Sequence, residues 1–90
     1  MNWKTPKFKR LATALVSIKT ENEMQNFLRD LCTLEELAEL SNRWQAAEML
    51  NKGVSYREVA NKTGMSTTTV TRIAHWIKHG EGGYEKVLKK

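Results

Sequence analysis

The chain predicts an all-α fold, and three observations carry that prediction. Residues 7–52 contain neither proline nor glycine, since the one proline is Pro6 and four of the five glycines lie from Gly64 onward. Apolar residues in that stretch recur at three- and four-residue intervals, the period of a helix. Hydroxyl-bearing residues stand just ahead of several stripes and glycines just behind two, as helix ends require. Five or six helices follow.

The first stripe, Phe8, Leu11, Ala12, Leu15, Val16 and Ile18, sits behind a basic start from Lys4 to Arg10. Lys19-Thr20-Glu21-Asn22 interrupts it. A second helix carries Met24, Phe27, Leu28 and Leu31 and ends near Cys32. Thr33 then caps the longest helix, because T-L-E-E is a capping box with Glu36 in the reciprocating position. Leu37, Leu40, Trp44, Ala47 and Leu50 line one of its faces, Glu35 and Glu39 belong to its solvent side, and Gly53 ends it. Ser55 with Glu58 opens a fourth helix; Ser66 opens a fifth, which stops at Gly80. The tail, E-G-G-Y-E-K-V-L-K-K, has room for one short turn pinning Tyr84, Val87 and Leu88. This divides a single domain into a basic arm (1–10), a helical core (11–53), a two-helix motif (55–79) and a tail (80–90).

The motif is the most specific part. Y-R-E-V-A-N-K-T-G-M-S-T-T-T-V-T-R-I-A-H, Tyr56 to His75, reads as a helix-turn-helix. Val59, Ala60, Val70 and Ile73 fall where such a hairpin buries residues, Ala60 is small enough for a close crossing, and Gly64 supplies the positive φ of a sharp turn. The second helix then presents Thr67, Thr68, Thr71, Arg72 and His75 on one face, a composition suited to the DNA major groove. A helical corner of the same spacing also occurs in proteins that never touch DNA, so the surrounding charge has to decide.

Charge is partitioned. Residues 1–20 hold five Lys/Arg and no acid, residues 21–50 two against seven Asp/Glu, and residues 51–90 eight against three. The cations therefore gather on the motif and on the N-terminal arm, the footprint expected of phosphate contacts. On the arm itself, Trp3, Lys4, Lys7, Lys9 and Arg10 are expected to form a solubilising tail rather than a segment that orders on DNA.

Other classes are disfavoured. Ninety residues make one small domain with a modest core. The single cysteine, Cys32, has no partner for an internal disulfide, which fits a reducing cytoplasm. No apolar run approaches a membrane span of roughly 20 residues, and no signal peptide is visible. His75 and His79 have the spacing of a metal-ligand pair, but no third ligand stands near, so no metal site is expected. Without a Gly-rich phosphate loop or a nucleophile signature, catalysis is not expected. The apolar faces of the N-terminal helices exceed what so short a chain can cover, which favours a homodimer reading a palindromic site on double-stranded DNA.

From Phe27 to Tyr84 the sequence resembles the Trp repressor superfamily, most nearly its TrpR-like YerC/YecD branch. The pieces that carry the resemblance are D-L-C-T-x-x-E-L, G-x-S-Y-R-E-V-A-x-x-T-G-x-S-T-T-T-V-T-R and H-G-E-G-G-Y. It extends over about residues 11–88 and implies a Trp-repressor-like, intertwined helical homodimer that represses transcription through two helix-turn-helix motifs. It also implies an L-tryptophan corepressor pocket, whose matching positions are Thr33, Arg43, Thr69 and Arg72. The chain departs from that pattern at Ile73, where the family has glycine, and at Trp76, where it has serine. Both changes add bulk where the ligand would sit, so Ile73 or Trp76 is expected to fill the pocket and no cofactor is expected. Arg43 is alternatively a partner for an acid on the neighbouring helix, and Arg72 a phosphate contact.

For DNA, Thr67, Thr68 and Thr71 are assigned to base edges, thymine methyls or phosphates, and Arg72 or His75 to guanine or backbone. Arg57, Lys62 and Lys78 are assigned to phosphate, with Ser66 chiefly a cap whose neighbouring N–H groups also suit an anion. Two rivals remain: a helical protein-interaction module that has lost DNA reading, and a Trp repressor that depends on tryptophan. Salt dependence separates the first from a DNA reader.

Overall fold

A computed structural model describes residues 2–90 as six helices: α1 (Pro6–Val16), α2 (Glu21–Leu31), α3 (Leu34–Asn51), α4 (Tyr56–Thr63), α5 (Thr67–His79) and α6 (Gly83–Leu88). Among the described residues there is no strand. The chain forms two compact units, divided between Leu37 and Ala38.

In the first unit α1 begins earlier than the apolar stripe suggests. Thr5 Oγ1 accepts the Phe8 N–H at 3.1 Å, and Pro6 occupies the first helical position, where its missing N–H costs nothing. Lys7, Lys9 and Arg10 are thus helical, which corrects the expectation of a separate arm. Trp3 meets Phe8 edge-on, with ring centroids 5.7 Å apart, and the Lys4 ammonium lies 5.4 Å from the Trp3 ring. The break before α2 is also shorter than expected. Thr20 Oγ1 accepts the Glu23 N–H at 3.1 Å, so Glu21 and Asn22 already belong to α2. Acids in that first turn suit the positive end of the helix dipole.

Helix α3 opens on the complete capping box. The Thr33 N–H donates to Glu36 Oε1 at 2.8 Å, and the Glu36 N–H donates back to Thr33 Oγ1 at 3.1 Å. It closes on a Schellman motif: the Val54 N–H reaches Met49 O at 3.1 Å and the Gly53 N–H reaches Leu50 O at 3.0 Å, with Gly53 at φ +86°.

The core lies wholly in the second unit. Ala46 and Ala47 from α3, Val59 and Ala60 from α4, and Val70 and Ile73 from α5 are buried together. Val59, Val70 and Ile73 each contribute about 1.5–3 kcal/mol by leaving water. Trp44, Met49, Leu50, Val54, Met65, Ile77 and Tyr84 pack around them.

The tail forms α6 rather than a single turn. Tyr84 stacks parallel to Trp44, with centroids 6.4 Å apart and planes 5° from coplanar. Leu88 is half-buried as expected, but Val87 points to solvent instead of being pinned. At Gly80 a Cβ would stand 2.5 Å from the Trp76 carbonyl oxygen, so the close of α5 excludes any side chain there. No helix among the described residues is long and apolar enough to cross a membrane.

Candidate nucleic-acid interface

The motif is built from α4, a three-residue turn and α5. Ser55 Oγ accepts the Glu58 N–H at 3.2 Å, which starts α4. At the other end, Gly64 takes φ +75° and its N–H donates to Ala60 O at 2.9 Å. Thr63 is the buried polar residue of the turn, a role not read from the sequence. Its Oγ1 donates to Val59 O at 2.7 Å and accepts the Met65 N–H at 3.3 Å, so the hydroxyl is satisfied without water. Ser66 Oγ then accepts the Thr69 N–H at 3.1 Å and starts α5.

Two faces of α5 diverge. Val70 and Ile73 are buried, with Ile77 half-buried beside them. Thr67, Thr68, Thr71, Arg72, His75 and Lys78 are all exposed, and helical geometry gathers them into an arc of about 140°. Their chemistry differs in detail. Thr71 Oγ1 donates to Thr67 O at 2.8 Å, which leaves its lone pairs and methyl group to face outward. The Thr67 and Thr68 hydroxyls have no such partner among the described residues, so both keep a donor and an acceptor. His75 and His79 face each other with ring centroids 4.8 Å apart. No cluster of three metal-ligating residues exists among the described residues.

Arg57 and Lys62 are exposed along α4. Lys78 borders a depression of about 490 Å³ together with Ser55 and Tyr56, which brings a cation to the N-terminal end of α4. Tyr56, half-exposed there, was not singled out in the sequence. Only its place at the first helical position beside a cap could have flagged it.

The six positions matched to a tryptophan pocket differ in exposure and in partners. Thr33 is committed to the α3 capping box, and Thr69 to the α5 cap, where its hydroxyl lies 3.0 Å from Ser66 Oγ. Arg43 pairs with Glu39 at 2.8 Å, one turn back on its own helix and not on a neighbouring one. Ile73 has no exposed surface and belongs to the core, while Arg72 is open to solvent. Trp76 remains 45% exposed. It lines a depression of about 620 Å³ with His75, His79, Glu81 and Tyr84, and neither arginine joins that lining.

A polar helix carried outward on a closed apolar hairpin defines a helix-turn-helix protein. The chain belongs to the Trp repressor protein family, which it matches over residues 6–90. That family is one of regulators, not of enzymes. Among curated relatives, the uncharacterized protein YerC of Bacillus subtilis is 33% identical over 81 residues, covering 90% of this chain and 78% of YerC. Among solved structures, a TrpR-like protein from Eubacterium eligens superposes with a TM-score of 0.87 at 36% identity, covering 96% of this chain and 89% of that one. A candidate Trp repressor from Staphylococcus aureus gives 0.86 at 29%, with coverages of 96% and 86%.

Proposed function

We propose that this chain is a sequence-specific, DNA-binding transcriptional repressor that acts as a homodimer on a palindromic operator and needs no free tryptophan. The observation that carries this reading is the outward arc of α5, six polar or cationic residues over a sealed apolar back. Thr67 and Thr68 at the helix start meet base edges, and Arg72 and His75 lie further along the same face. Arg57, Lys62 and Lys78 hold phosphates, joined by the Tyr56 hydroxyl beside Lys78. With one arginine in the arc, much of the specificity is carried by water and DNA shape.

The residues do not fit a tryptophan corepressor. Thr33, Arg43 and Thr69 already have partners, and Ile73 fills the apolar core beneath α5. The side chain that occupies the family's glycine position thereby holds the reading helix on its own hairpin. Pairing of two chains is supported by the exposed apolar side chains of the first unit, among them Leu31 and Leu34.

The test is selection of duplexes from a random pool, followed by fluorescence anisotropy across a salt range with and without L-tryptophan. The expected result is a selected palindrome, a steep loss of affinity with salt, and no response to millimolar tryptophan. Arg72→Ala should weaken binding by tenfold or more. A titration showing micromolar tryptophan binding would overturn the corepressor-free mechanism, and a chain that selects no duplex would overturn DNA reading itself.

A further inference from the structure

We propose that His75 and His79 form a two-histidine site for a divalent transition ion of the Cu²⁺, Ni²⁺ or Zn²⁺ class at the C-terminal end of α5. Four residues apart, the two side chains stand one above the other on one helix face. That is the spacing by which a helix offers two imidazoles to a single ion. The structure brings the rings to centroids 4.8 Å apart and tilts them by 40°. One nitrogen of each ring can then meet the same ion at the usual distance of about 2.0–2.1 Å. Both side chains are exposed, and neither joins an ion pair among the described residues. Ligation therefore breaks no salt bridge.

The surroundings favour a cation. His79 is the last helical residue of α5, where the helix dipole gathers partial negative charge. Glu81 lines the same depression of about 620 Å³ as both histidines, together with Trp76 and Tyr84. Lys78 is the opposing charge, exposed on α5 with a long side chain that extends into solvent. Among the described residues no third His, Cys, Asp or Glu completes a set of ligands, so the ion's other positions belong to water. The missing third ligand, which argues against a metal site from sequence, excludes a closed structural centre and leaves an open chelate. Imidazole selects Cu²⁺, Ni²⁺ and Zn²⁺ over the oxygen-seeking Mg²⁺, and Cu²⁺ binds tightest of the first-row divalent ions. The bound ion bridges one turn, tying the end of α5 to the turn that carries His75 in the outward arc.

The experiment titrates the full chain, stripped of metal by a chelator, with Cu²⁺, Zn²⁺ or Mg²⁺ in calorimetry, using a non-coordinating buffer. Electron paramagnetic resonance of the Cu²⁺ complex counts the bound nitrogens. The chain has two histidines in all, so two imidazole nitrogens on one ion per chain identify His75 and His79. The variants are His75→Gln, His79→Gln and the two together; glutamine suits a helix, and circular dichroism checks that α5 persists. The expected result is one Cu²⁺ per chain with a micromolar dissociation constant, splitting from two imidazoles, weaker Zn²⁺ binding and no Mg²⁺ binding. Each single replacement should weaken Cu²⁺ binding by tenfold or more, and the double replacement should abolish it. Zn²⁺ should raise the melting temperature of the wild type and leave that of the double variant unchanged. The proposal is overturned by absent Cu²⁺ binding, by binding that survives the double replacement, or by fewer than two imidazole nitrogens in the spectrum. Melting temperatures that respond alike to Zn²⁺ in both chains overturn it too. Should the double variant fail to fold, the wild-type spectrum and the single variants decide. No readout involves a duplex, so a failure of DNA reading leaves this test intact.

Discussion

The two units of this chain have similar raw material and opposite outcomes. Every buried residue lies between Ala46 and Ile73, whereas the residues from Asn2 to Gln45 include none. Yet the first unit is not poor in apolar residues. Val16 is 83% and Leu34 65% exposed, and Phe8 and Leu31 are open as well. The difference is geometric. Three helices converge in the second unit, with alanines at their contacts, so a few medium side chains seal the space. Helices α1 and α2 leave apolar side chains exposed along their stripes, as at Phe8, Val16 and Leu31. The contrast teaches that one unit is stabilised by its own chain, while the other has surface suited to a second copy.

The sharpest way to break this comparison is to make similar truncations in both units. Ile73→Ala should cost about 2–5 kcal/mol in urea unfolding, because it removes a fully buried side chain. Val16→Ala should change stability by less than about 0.5 kcal/mol. Equal costs would mean that Val16 is buried in solution. Next in size, Leu31→Lys with Leu34→Lys should weaken self-association by roughly ten- to a hundredfold, about 1.4–2.8 kcal/mol, in sedimentation equilibrium. The wild-type melting temperature should meanwhile rise with protein concentration. A concentration-independent melt would make the first unit self-sufficient and remove the need for a partner.

A smaller effect tests the turn inside the sealed unit. Gly64→Ala should cost about 1–2 kcal/mol, from the positive φ alone, because an added Cβ would meet nothing within 4 Å. The smallest concerns α6. Lys89, hydrogen-bonded at 2.9 Å, holds the Glu85 carboxyl below the usual carboxylate range. A lowered folded value means that the pair's stabilisation is present above the unfolded pKa and is lost as pH falls through the folded one. Glu85→Gln should therefore lower the melting temperature slightly at neutral pH and leave it unchanged in acid. An equal drop at both would assign the loss to packing.

Legibility followed the range of the interaction. The ends of α3, α4 and α5 were plain because Thr33 with Glu36, Ser55, Gly53, Gly64 and Ser66 act within a few residues of themselves. Two local signals were overlooked: Thr5-Pro6 at the start of α1, and Thr20 three residues before Glu23. Both are ordinary helix openings, and the apolar stripes drew the boundaries away from them. The Arg43–Glu39 pair was also local, at four residues' spacing, but had been assigned across helices. What no spacing rule reveals is the Trp44–Tyr84 stack, whose partners stand 40 residues apart. The burial of Ile73 with Val59, Ala60 and Val70 was legible from the hairpin spacing, but the alanines Ala46 and Ala47 of α3 that join them come from outside that motif.

The chain's three tryptophans, placed for structural reasons, also make it a three-station optical gauge. Trp3 lies in the N-terminal segment beside Lys4, Trp44 lies against the Tyr84 phenol, and Trp76 stands half in solvent on α5. Each indole therefore samples a different polarity. Single-tryptophan versions, made by replacing the other two with phenylalanine, would emit separately from the N-terminal segment, the packed interior and α5. A DNA titration followed by colour and anisotropy of emission could then be resolved into local events, without attaching any dye.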